Sequence, residues 1–99
     1  MTGNRIELEG RLLGHPEVRI TPAGTPVLRF TVECGAAGEE LRLGIVMTGE
    51  RALAASSLLQ PGRGIKVIGR VRALNKTGSK TRTNVEFEIV AASVERNDK

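Results

Sequence analysis

The sequence has no tryptophan and no tyrosine, two phenylalanines (Phe30 and Phe87), one cysteine (Cys34) and one histidine (His15). A single thiol closes no intrachain disulfide, and with one imidazole it falls short of a four-ligand zinc site, so disulfide scaffolds and zinc fingers are excluded. Nucleophilic catalysis needs a base oriented onto its nucleophile. The one histidine sits in a turn-like Gly14-His15-Pro16, and Cys34, before Gly35, is read as a small, half-buried apolar side chain. No enzymatic activity and no cofactor are expected. No apolar run approaches the roughly 20 residues that cross a bilayer, and the opening ten residues lack the basic-then-apolar layout of a secretory signal. A cytoplasmic product without membrane association is expected.

What is present is globular: 39% apolar and 26% charged residues suffice for a core, and 99 residues leave room for one domain. That domain is expected to fill the chain, with an ordered core from about Asn4 to Val94. The net charge of +4 is unevenly placed. Between Pro61 and Asn84 lie Arg63, Lys66, Arg70, Arg72, Lys76, Lys80 and Arg82 with no acidic residue, a charge of +7, which leaves eight basic and eleven acidic residues elsewhere, net −3. Segregation of this kind concentrates a positive field on one part of the surface and favours a polyanionic partner, within a range set by ionic strength.

Apolar residues alternate with polar ones in five stretches, the signature of half-buried strands. Ile6, Leu8, Gly10 and Leu12 form the first. A short extended piece, Glu17 to Ile20, then enters a tight connection marked by Pro22, Gly24 and Pro26. Leu28, Phe30 and Val32 form the second strand, and Leu41, Leu43, Ile45 and Met47 the third. Gly49 to Gln60 is rich in helix formers and stops at Pro61-Gly62, which predicts one short helix. Ile65, Val67, Gly69 and Val71 form the fourth strand, its glycine permitting sharp coiling. Asn75 to Thr83 reads as a long hairpin loop, and Val85, Phe87 and Ile89 as the fifth strand. Val90-Ala91-Ala92 blurs the alternation, which predicts a bulge. Both phenylalanines fall on the inward phase and are assigned to the core.

Five strands with a helix between the third and fourth predict an all-β, five-stranded Greek-key barrel of the OB-fold type. An SH3-like barrel also has five strands but needs no helix of this length before the fourth. OB barrels present strands two and three, with the loops between strands one and two and between four and five, to single strands of nucleic acid. On that basis Lys76, Lys80 and Arg82 in the four-five loop, Arg70 and Arg72 on strand four and Arg19 near the one-two loop are candidate phosphate contacts, with no sequence readout implied. Gly78-Ser79-Lys80-Thr81 lacks the glycines of a phosphate-binding loop, and Gly62-Arg63-Gly64 precedes a strand and opens no helix, so neither marks a nucleotide site.

Two stretches carry a resemblance: His15-Pro16-Glu17-Val18-Arg19-Ile20-Thr21-Pro22-Ala23-Gly24-Thr25-Pro26-Val27, and Leu59-Gln60-Pro61-Gly62-Arg63-Gly64-Ile65-Lys66-Val67-Ile68-Gly69-Arg70-Val71. Both resemble bacterial single-stranded DNA-binding proteins, and the match in kind runs from about Asn4 to Val94. Members of that family carry a flexible linker and an acidic tip ending in Phe after the barrel. The sequence, ending Asp98-Lys99, is instead similar to the family's barrel-only, primosomal branch in length, in its opening Asn4-Arg5-Ile6-Glu7-Leu8-Glu9-Gly10 and in its lysine-bearing four-five loop. The resemblance implies a homodimer that binds single-stranded DNA and assists the PriA helicase in restarting stalled replication forks, passing the complex to DnaT in some lineages. It also implies that Arg19, Lys76, Lys80 and Arg82 are the basic DNA contacts. Glu40, Leu41 and Arg42 stand where some relatives use an aromatic, so phosphate contacts carry binding and strong salt sensitivity is expected. A protein-interaction module bridging helicase and later factors, with weak DNA affinity, is the competing expectation. Ile68 and Val46, on outward phases, are candidate dimer contacts.

Overall fold

A computed structural model describes residues 3–74 and 86–97. The elements follow the order β1 (Ile6–Ile20), β2 (Pro26–Cys34), β3 (Leu41–Thr48), α1 (Glu50–Ser56), β4 (Gly64–Leu74) and β5 (Glu86–Arg96). The strands close into a barrel in the order β1-β2-β3-β5-β4, with every pairing antiparallel except β3 with β5. This is the expected five-stranded OB-fold barrel with one short helix between its third and fourth strands.

The alternating residues bury as their phase predicts: Leu12, Leu28, Val32, Ile45, Ile65, Val67 and Ile89 are fully enclosed, with Phe30 and Met47 beside them. The helix is shorter than Gly49 to Gln60. It packs Ala52 and Ala55 against the barrel and ends at Ser56, after which Leu59 completes the core. The one-two connection is a tight turn, in which Thr25 and Gly24 donate their N–H groups to the side chain (3.0 Å) and carbonyl (2.8 Å) of Thr21.

One expectation about continuity changes. The extended piece Glu17 to Ile20 is the second half of β1. Leu13 pairs with Thr31 and Glu17 with Arg29, so Gly14, His15 and Pro16 stand against a single residue of β2. Gly14 makes this possible with φ +65°, a left-handed conformation that other residues adopt at a cost. The predicted bulge in the fifth strand is present: Ile68 faces Ser93 and Gly69 faces Ala91, leaving Ala92 as the extra residue. A Cβ on Gly69 would lie 2.1 Å from the Val90 carbonyl oxygen, so the close approach at the bulge requires glycine.

Beyond the barrel, β4 and β5 continue as a two-stranded ribbon. β1 accompanies β4 only as far as the Ile6–Gly69 pair, and β3 meets β5 only at Ile89 and Val90. The next rung is supplied by a side chain. Asn4 Nδ2 donates to the Val71 carbonyl and Asn4 Oδ1 accepts the Val71 N–H, both at 2.9 Å. The loop Asn75 to Thr83 lies outside the described residues.

Candidate nucleic-acid interface

Register fixes which outward-pointing side chains meet. Arg29 of β2, Val46 of β3, Val90 of β5 and Arg70 of β4 form one row across the sheet. The adjacent row is Thr31, Gly44, Glu88 and Arg72. Gly44 leaves its place in that row bare, since a Cβ there would meet nothing within 4 Å. Across this gap Arg29 Nη1 donates to Glu88 Oε2 at 3.0 Å, while Arg72 Nη2 donates to Glu88 Oε1. The carboxylate lies beneath the two guanidiniums: the Glu88 side chain is 6% exposed, against 57% for Arg29 and 46% for Arg72. Burial pushes the Glu88 carboxyl up, but the hydrogen bonds from Arg72 and Arg29 outweigh it and hold the group below the ordinary carboxylate value.

Beside this cluster an open groove of about 370 Å³ is lined by Leu13, His15, Glu17, Thr31, Gly44 and Glu88, with Arg29, Phe30 and Ile45 completing it. The irregularity of β1 puts His15 and Glu17 at its margin, and the empty Gly44 position opens its floor.

The expected contacts are placed unequally. Arg70 is exposed, and Arg72 and Arg29 share its face of the sheet. Arg72 is bound to Glu88, and Arg19 pairs with Glu17 at 2.6 Å. Lys76, Lys80 and Arg82 lie outside the described residues. Within the cationic stretch Lys66 also has a partner, Glu7 at 2.8 Å, whose hydrogen bond lowers the Glu7 carboxyl and raises the Lys66 ammonium. Glutamates far away in sequence, on β1 and β5, therefore offset part of the charge that β4 concentrates.

Two assignments are corrected. Phe87 is 49% exposed and not in the core. Its phase is inward, but it precedes Ile89, where β3 first meets β5, so no layer faces it across the ribbon. Val71, on the same face, is also exposed. The one exposed aromatic ring is thus on the opposite face of the ribbon from Arg70 and Arg72. Val46, offered as an outward dimer contact, is 2% exposed and presents no surface to a partner. Arg29, Gly44 and Glu88 escaped sequence reasoning. Their signal was faint: a cation at the centre of strand two, and a glycine interrupting the outward phase of strand three.

The pattern of the Single-strand binding protein family matches residues 3–97. The chain belongs to that family. Single-stranded DNA-binding protein 3 of Listeria innocua is 34% identical over 99 residues, covering 93% of this chain and 62% of that relative. The chain thus spans about three fifths of the length of the curated relative it matches. The crystal structure of wild-type single-stranded DNA binding protein from Thermus aquaticus superposes with a TM-score of 0.79 at 28% identity, over 97% of this chain and 41% of that one. The SSB domain of a Synechococcus sp. protein shares the fold, with a TM-score of 0.78 at 20% identity over 97% of this chain and 98% of that domain. Among the described residues no His, Cys, Asp and Glu cluster suits a metal ion, and no helix is long and apolar enough to cross a membrane.

Proposed function

We propose that this single-strand binding family chain is a non-catalytic protein that binds single-stranded DNA along the outer face carrying Arg29, Arg70 and Arg72, with Lys76, Lys80 and Arg82 of the adjoining loop extending the track. The observation that carries the reading is the set of guanidiniums of Arg29, Arg70 and Arg72 on one face, beside an open groove, on a barrel of this family. Guanidinium forks match phosphate geometry. With the exposed phenyl ring on the other face of the ribbon, grip on the strand comes from phosphates. The finer reading is that of primosomal replication protein N (PriB): a homodimer in the bacterial cytoplasm that assists the PriA helicase at stalled forks and, in some lineages, hands on to DnaT. The similarity of the opening residues and of the lysine-bearing loop supports it.

Titration with a labelled oligonucleotide across ionic strengths tests the reading. About four phosphate contacts per site give a log-log salt slope of about −3. Reversal of Lys76, Lys80 and Arg82 to glutamate removes most of the affinity and leaves thermal unfolding nearly unchanged. A flat slope, or equal affinity for an uncharged analogue, rejects phosphate recognition.

The second reading, a protein-interaction module with weak DNA affinity, is favoured by the apolar face of the ribbon, where Val71 and Phe87 are exposed. Helicase stimulation that survives the loop reversal supports this alternative.

A further inference from the structure

A buried carboxylate on the very face proposed to grip a polyanion is the least expected feature of the molecule. Glu88 is 5% exposed and points outward from β5, where Arg29 of β2 and Arg72 of β4 close over it. Each guanidinium has five N–H donors and gives one of these bonds to the carboxylate. Both arginines keep about half of their side-chain surface in solvent, so both stay open to a ligand. The carboxylate thereby ties together two long side chains from strands that are not neighbours in the barrel, and it reduces their joint charge from +2 to +1.

We propose that Glu88 is a positioning residue and resident counter-anion of the single-strand site: it holds Arg29 and Arg72 as a preformed pair of phosphate donors and restrains their grip on the strand. The inference rests on the proposed DNA-binding reading and goes further by naming the residue that sets the strength of the site. A phosphate docking on the pair meets guanidiniums already ordered, which reduces the entropy lost on binding. It also meets a pair partly neutralised by the protein, so fewer condensed counterions leave the DNA than two free arginines would displace.

The test is the salt dependence of oligonucleotide binding by full-length variants. Each phosphate neutralised on a single strand contributes about −0.7 to the log-log slope. Glu88→Gln is expected to bind more tightly at low salt, with a slope steeper by about 0.7, an additional loss of about 2.5-fold between 50 and 200 mM salt. Arg72→Gln should be shallower by about the same amount. The double variant Glu88→Gln/Arg72→Gln restores the charge of the native cluster and should return to the native slope; it serves equally if Glu88→Gln alone fails to fold. A purely structural glutamate would change unfolding and leave the slope untouched. Native slopes in Glu88→Gln, or a double variant no steeper than Arg72→Gln, overturn the inference while leaving DNA binding intact. Absence of salt-dependent binding in the native protein overturns the DNA-binding reading itself, and the inference with it.

Discussion

Glu88 also registers pH. Its carboxyl is depressed below the ordinary value of 4.5 because two arginine hydrogen bonds outweigh burial. A group whose folded value is depressed stabilises the fold above its unfolded value and ceases to do so as pH falls through the folded one. Native protein should therefore lose stability faster than Glu88→Gln as pH drops from about 6 to about 3. Urea unfolding of both proteins at several pH values measures this. The depressed Glu7 and Glu40 carboxyls are common to both and cancel. A stability difference that stays constant over this range sinks the prediction. Nothing in the local sequence forecasts the pair, since Arg29 and Glu88 are 59 positions apart and meet only through the register of β2, β3 and β5.

At the scale of elements, alternation located all five strands and their inward faces, because a half-buried sheet imposes period two on the sequence. It misjudged what depends on neighbours. Gly14-His15-Pro16 looks like a break, yet β2 pairs on both sides of it and the strand continues. Phe87 has the inward phase, but phase reports direction along a strand and says nothing of whether a facing layer exists. The bulge was legible because Val90-Ala91-Ala92 disturbs the alternation. It also makes a stability prediction: Gly69→Ala forces a methyl against the backbone of Val90 and Ala91 and should cost about 1–3 kcal/mol. Gly44→Ala, with open space at its Cβ, should be neutral or gain about 0.5–1 kcal/mol. Chemical denaturation of the two variants side by side reads the contrast, and equal midpoints would refute it.

For the whole molecule, the two faces of the β4–β5 ribbon differ in chemistry: Arg70 and Arg72 on one, Val71 and Phe87 on the other. The arginine face suits the strand, which leaves the apolar face for a second copy of the chain in the proposed homodimer. Phe87→Ala should then weaken self-association by about 1–2 kcal/mol, roughly five- to thirty-fold, in sedimentation across a dilution series. Removal of a core phenylalanine would cost about 3–5 kcal/mol of stability; for this half-exposed ring the loss in monomer stability should stay well below that. An unchanged association constant would place the contact elsewhere. The +7 stretch illustrates the limit of charge arithmetic at this scale. Its sum is a property of the chain, whereas the field depends on Glu7 and Glu88, which folding brings alongside.

The Asn4 rung has a bearing on solubility. A projecting ribbon offers its outer backbone to any stray extended peptide, and such seams are where sheets of separate molecules zip together. By satisfying both the donor and the acceptor of Val71, one amide side chain occupies the first docking position along that seam. At Val71 an asparagine thus fills, within the same chain, the place a foreign strand would take, a role that other folds give to a lysine or a proline.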